Sequence, residues 1–217
     1  MIGQKKIAMI VAEFLGVFTL SLVFYSMLAR TTFPLFSGLA AGLTLGVLTL
    51  VIGSVSEAHV NPAVTVSMWV MRKIGTFTAI AYIAAQVLGG LVAWALIQYF
   101  IGHSLTNLAG AKFDWHVAIA EGIGTAVFAF GAAAAMIQKL DTARTAFVMG
   151  ASYALGIMVA SLAANGLLNP AVALGIHSWD WSYAVAPLFG AVVGSNLYAM
   201  LYMASTSSVK SAKKAKR

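Results

Sequence analysis

Six stretches of the chain, near 7–29, 35–54, 76–101, 116–138, 145–164 and 181–205, are almost unbroken runs of apolar residues. None shows the period-two alternation of a membrane barrel strand. Each runs to about 20 residues or more, enough for an α-helix to cross a ~30 Å hydrocarbon core. Two further apolar runs, 61–71 and 169–178, are too short to cross, and each begins Asn-Pro. Asn is a strong helix N-cap, and Pro suits the first helical position because its missing N–H would be unpaired there. Ten helical residues rise about 15 Å, half the core. Each short run therefore reads as a half-helix reaching mid-membrane, led in by non-helical backbone at 53–60 and 163–168. Such backbone survives in a bilayer only where it is buried in protein or lines a wet cavity. The pattern predicts an all-α membrane protein of six transmembrane helices plus two re-entrant half-helices.

The two short runs are copies. Asn61-Pro62-Ala63-Val64 returns as Asn169-Pro170-Ala171-Val172, a shift of 108 residues (169 − 61). The same shift carries Ala12-Glu13-x-x-Gly16 onto Ala120-Glu121-x-x-Gly124, and Gly42 onto Gly150. Residues 1–217 thus read as one transmembrane domain made of two repeats, about 1–108 and 109–217. Each repeat holds three spans, an odd number, so the second is inverted in the membrane and the half-helices enter from opposite faces. Gly42-x-x-x-Gly46 and Gly190-x-x-x-Gly194 have the spacing that lets helix backbones approach closely.

Composition agrees. Hydrophobic residues are 61% of the chain and charged ones 9%, against about 25% charged in a soluble domain. The net charge of +7 belongs to the membrane surface and not to nucleic acid. Lys5, Lys6, Arg72, Lys73, Lys139, Arg144 and the tail residues Lys210, Lys213, Lys214, Lys216 and Arg217 fall on one side of the six spans, and only Arg30 and Lys112 on the other. The positive-inside rule then puts both termini in the cytoplasm, with the tail against anionic lipid headgroups. Cysteine is absent, so there is no disulfide or thiolate site. No metal or catalytic motif is present, no cofactor is expected, and the chain does not read as an enzyme.

At the midplane two helix N-termini would face each other, each carrying partial positive charge, with Asn61 and Asn169 adding amide donors. Uncharged solutes can accept those hydrogen bonds, whereas cations and protons meet a positive potential and a dehydration cost. Glu13 and Glu121 are acids inside spans. They serve either as braces for the re-entrant backbone or as proton carriers of a proton-coupled transporter. His59, two residues before Asn61, either contacts the path or packs under the half-helix.

The doubled Asn-Pro-Ala, the paired Ala-Glu-x-x-Gly and Ser56-x-Ala58-His59-x-Asn61-Pro62-Ala63-Val64-Thr65 together resemble the aquaporin, or major intrinsic protein, family over nearly the whole chain. The resemblance implies one pore per protomer, a homotetramer in the plasma membrane, and passage of small neutral molecules. It also implies a selectivity constriction at Ala41, Ile157, Gly166 and Val172. The family usually carries Arg where Val172 stands, and its glycerol facilitators carry Asp where Ala173 stands. A ring with no charge and no aromatic is expected to be wide and permissive, with water, glycerol, urea, ammonia, hydrogen peroxide and neutral metalloid acids as candidate solutes.

Overall fold

In a computed structural model, residues 3–29, 33–110 and 112–215 are described, with side chains up to 205. Arg30, Lys216, Arg217 and the side chains of Lys210, Lys213 and Lys214 lie outside the described residues. The described residues form eight helices: α1 (Gln4–Leu28), α2 (Pro34–Ser56), α3 (Pro62–Val70), α4 (Thr76–Ile101), α5 (Trp115–Ile137), α6 (Thr142–Ala160), α7 (Pro170–Gly175) and α8 (Trp181–Ala215). Six of them, α8 through Ser205, are long and apolar enough to cross a membrane. The fold is all-α, with six membrane helices and two short ones, and the protein is an integral membrane protein.

The helix ends differ from the hydropathy boundaries for local reasons. α6 starts at Thr142, not near 145, because the Asp141 carboxylate caps it by accepting the Arg144 N–H at 3.0 Å. That hydrogen bond also holds the Asp141 carboxyl below the usual carboxylate range. α2 continues to Ser56, so only 57–60 of the expected non-helical 53–60 is non-helical. Both short helices are shorter than the apolar runs that signal them. In α7 the Ser178 N–H reaches the Ala173 carbonyl at 2.8 Å and the His177 N–H reaches Leu174 at 3.1 Å. That is a Schellman ending, with His177 at φ +55 where glycine is the usual choice. α3 ends the same way on Arg72, at φ +58.

The halves interlock. α3 packs on α8 and α4, and α7 packs on α4 and α1, so each short helix leans on a long helix of the other half. α2 crosses α6 at Gly42 and Gly150, where a methyl on either glycine would run into the other's carbonyl oxygen. α8 meets α5 the same way, with Gly190 and Gly194 against the carbonyls of Gly122 and Ala126. These contacts need backbone proximity that any larger side chain forbids. Trp115 and Trp181, first residues of their helices, are exposed, as interfacial anchors are.

Candidate functional site

α3 and α7 begin beside each other in the buried centre, and their caps are crossed. The Asn61 side-chain oxygen accepts the Ala63 N–H at 2.8 Å, and the Asn169 oxygen accepts those of Ala171 at 3.1 Å and Val172 at 3.3 Å. Each amide nitrogen then reaches into the other half. Asn61 Nδ2 donates to the Leu168 carbonyl at 2.9 Å, and Asn169 Nδ2 donates to the Val60 carbonyl at 2.8 Å. Val60 and Leu168 immediately precede the two Asn residues, and both hold left-handed backbone, at φ +48 and +56. For β-branched Val60 that conformation is a true outlier, sustained only by surrounding contacts. An amide nitrogen carries two hydrogens, and the crossed bonds engage one on each Asn. Pro62, Ala63, Pro170 and Ala171 form the buried first turns.

The acids hold the other side of the same strained peptides. Glu13 Oε2 accepts the Val60 N–H at 2.6 Å and Gln86 Nε2 at 2.7 Å, while Oε1 accepts the His59 N–H at 3.0 Å and Ser56 Oγ at 2.7 Å. Glu121 accepts the N–H groups of Leu167 at 2.9 Å and Leu168 at 2.7 Å. Both carboxylates are fully buried. His59 packs under the half-helix: its ring is buried, Nδ1 lies 3.1 Å from Thr65 Oγ1 on α3, and its face meets Tyr82 edge-on at 5.4 Å. Its Nε2 has no hydrogen-bond partner and lies 3.7 Å from the Glu57 carboxylate.

Ala41, Ile157, Gly166 and Val172 belong to one dry cluster. Ala41, Ile157 and Val172 have 0% exposure, and Gly166 is buried as well. A Cβ on Gly166 would lie 2.8 Å from the Ile157 carbonyl oxygen, 2.9 Å from Ser161 Oγ and 3.2 Å from Ile157 Cγ2. On one side lies a cavity of about 370 Å³ bordered by Tyr25, Leu28, Ser37, Leu108, Ser161 and Asn165. Toward the other ends of α2 and α6 lies one of about 460 Å³ bordered by Thr49, Glu57, Lys73, Lys139 and Thr145.

The family model described as Major intrinsic protein matches residues 3–202. The chain belongs to the major intrinsic protein family. It is 32% identical to Aquaporin-4 of Dipodomys merriami over 76% of this chain and 55% of that protein, so it spans about half the length of that relative. It is also 32% identical to Glycerol uptake facilitator protein-like 6 of Lactiplantibacillus plantarum, over 85% of this chain and 93% of the relative. The solved aquaglyceroporin of Plasmodium falciparum superposes with a TM-score of 0.74 at 22% identity, covering 89% of this chain and 95% of that one. That likeness concerns the fold.

Two residues that shape this family member's centre, Gln86 and Tyr153, belong to no motif. Gln86 and Thr65 complete the Glu13 network, with Gln86 Nε2 donating to Thr65 Oγ1 at 3.0 Å. Tyr153 donates its hydroxyl to the Leu167 carbonyl at 2.8 Å. A glutamine in the middle of the 76–101 run was a usable signal, since an amide in hydrocarbon needs partners. Tyr153 offered none, because its partner is a backbone atom of another segment.

Proposed function

We propose that the chain is a passive transmembrane channel for water and small uncharged solutes such as glycerol, urea, ammonia, peroxide and neutral metalloid acids. The observation that carries this reading is the pair of crossed Asn caps. Two helix starts and two amides converge on one buried point, where amide donors can face a solute oxygen. A permeant passing there exchanges water for amide donors, while a cation meets the positive ends of α3 and α7. Residues 1–108 and 109–217 act as inverted repeats of one channel domain, with Ala41, Ile157, Gly166 and Val172 as its constriction. The termini lie in the cytoplasm of a plasma-membrane homotetramer. The basic cavity that holds Lys73 and Lys139 supports that orientation.

The coordination of Glu13 supports a bracing role over proton-coupled transport. Four donors converge on its two oxygens, which ties the carboxyl group to the re-entrant backbone. Stopped-flow light scattering on proteoliposomes separates the two readings. A channel equilibrates water and at least one of glycerol, urea or ammonia faster than empty liposomes, and under a pH gradient it accumulates neither glycerol nor urea, which do not ionise. Uphill accumulation driven by that gradient overturns the channel reading. Mercurial reagents should leave the flux unchanged at low concentration in the same vesicles, because the chain has no cysteine.

A further inference from the structure

Between α4 and α5 the chain folds over the outer cavity, and an unusual number of hydrogen bonds fix it there. The Leu108 N–H donates to the His177 carbonyl at 2.8 Å, and the Leu108 carbonyl accepts Asn165 Nδ2 at 3.2 Å. His177 Nδ1 bonds the Leu105 carbonyl at 2.8 Å, and a carbonyl accepts only, so that nitrogen carries the hydrogen. The ring stacks on Trp94 with centroids 5.1 Å apart and planes 21° from parallel. The Asn107 side chain donates to the Trp179 carbonyl at 2.9 Å and accepts the Trp179 N–H at 3.0 Å. Residues 105–108 are thus clasped to the segment that follows α7 and, through Asn165, to the lead-in of α7. Leu105 is drawn into the core, whereas Leu108 is left 41% exposed and borders the outer cavity.

His177 makes the clasp a chosen feature. It stands at the left-handed position that ends α7, where glycine is favoured and an L side chain costs about 1 kcal/mol. A histidine there gains nothing for the helix. What it adds is a ring that reaches Trp94 and the Leu105 carbonyl.

We propose that Leu108 is a specificity-determining lip. Its side chain, held over the mouth by the His177 carbonyl and the Asn165 side-chain amide, screens solutes by size and polarity before they reach Ile157. His177 is a positioning residue that acts through the loop. The lip faces a polar side made by Ser37, Ser161 and Asn165, so a solute entering the cavity slides its carbon edge along Leu108 and offers its hydroxyls to the opposite wall. This rests on the channel reading above.

The test compares glycerol and water permeability of the full chain in proteoliposomes. Leu108→Ala should raise the glycerol-to-water ratio about fourfold, the equivalent of ~0.8 kcal/mol, and Leu108→Trp should lower it. His177→Gly removes the ring yet suits the left-handed terminus, so it should fold and shift the ratio in the same direction as Leu108→Ala. A purely structural role for the loop would lower both fluxes together and leave the ratio alone. Ratios unchanged in all three variants, with a conducting wild type, overturn the lip. A wild type that conducts neither molecule above empty liposomes overturns the channel reading and the lip with it.

Discussion

Shortening Ile157 to Ala should raise glycerol flux by on the order of tenfold, equivalent to ~1.4 kcal/mol off the crossing barrier. The side chain has no exposure, lies beside Gly166 and belongs to a dry cluster with Ala41 and Val172. An apolar constriction of that kind blocks by refusing water as much as by filling space. Removing three carbons from its bulkiest member relieves both effects. Water flux should rise too, by a smaller factor, because water needs less room. The change also carries a packing penalty of about 2–5 kcal/mol if the site does not collapse, so thermal unfolding in detergent has to accompany the flux measurement. Glycerol flux equal to wild type in folded Ile157→Ala would place the barrier elsewhere along the path.

The buried cluster around Ile157 marks where the sequence stops being sufficient. The apolar runs located all six crossing helices to within a few residues, because a ~30 Å slab demands about 20 apolar residues whatever the neighbours are. The Asn-Pro pairs marked the starts of α3 and α7, because the cap and the first helical residue are local chemistry. Their ends were harder to read. His177 and Arg72 stop the short helices in a backbone conformation that ordinary propensity assigns to glycine. Glu13 and Glu121 were legible as acids needing partners, but the partners are backbone N–H groups of segments more than 40 residues away. Width at Ala41, Ile157, Gly166 and Val172 was illegible from residue size. Four small or uncharged side chains read as an opening, yet Ala41, Ile157 and Val172 have no exposed surface. The Asn107, Asn165 and His177 clasp lies in loops whose composition is ordinary, and only the fold brings its donors to their carbonyls.

Removing the Glu13 carboxylate should damage the fold more than removing that of Glu121, although the repeat places them alike. Glu13→Leu leaves the N–H groups of His59 and Val60 and the Ser56 hydroxyl without their acceptor, and leaves Gln86 Nε2 with Thr65 Oγ1 only, all in a buried setting. Each orphaned buried donor costs about 1–3 kcal/mol, and a folded domain holds only about 5–15 kcal/mol in reserve. The Ser56 hydroxyl can rotate elsewhere, but the two backbone N–H groups cannot, and one of them belongs to Val60 in its strained left-handed conformation. Once that peptide relaxes, the Val60 carbonyl leaves Asn169 and the crossing between the halves opens from the far side. Glu121→Leu orphans backbone N–H groups of the 166–168 lead-in but no side-chain donor, while Tyr153 keeps its hydroxyl on the Leu167 carbonyl. Size-exclusion chromatography and thermal unfolding in detergent should therefore give little or no monodisperse Glu13→Leu protein, and a recoverable but less stable Glu121→Leu protein. Glu13→Leu that elutes as a sharp peak and melts with the wild type would mean that its four contacts do not hold the re-entrant backbone.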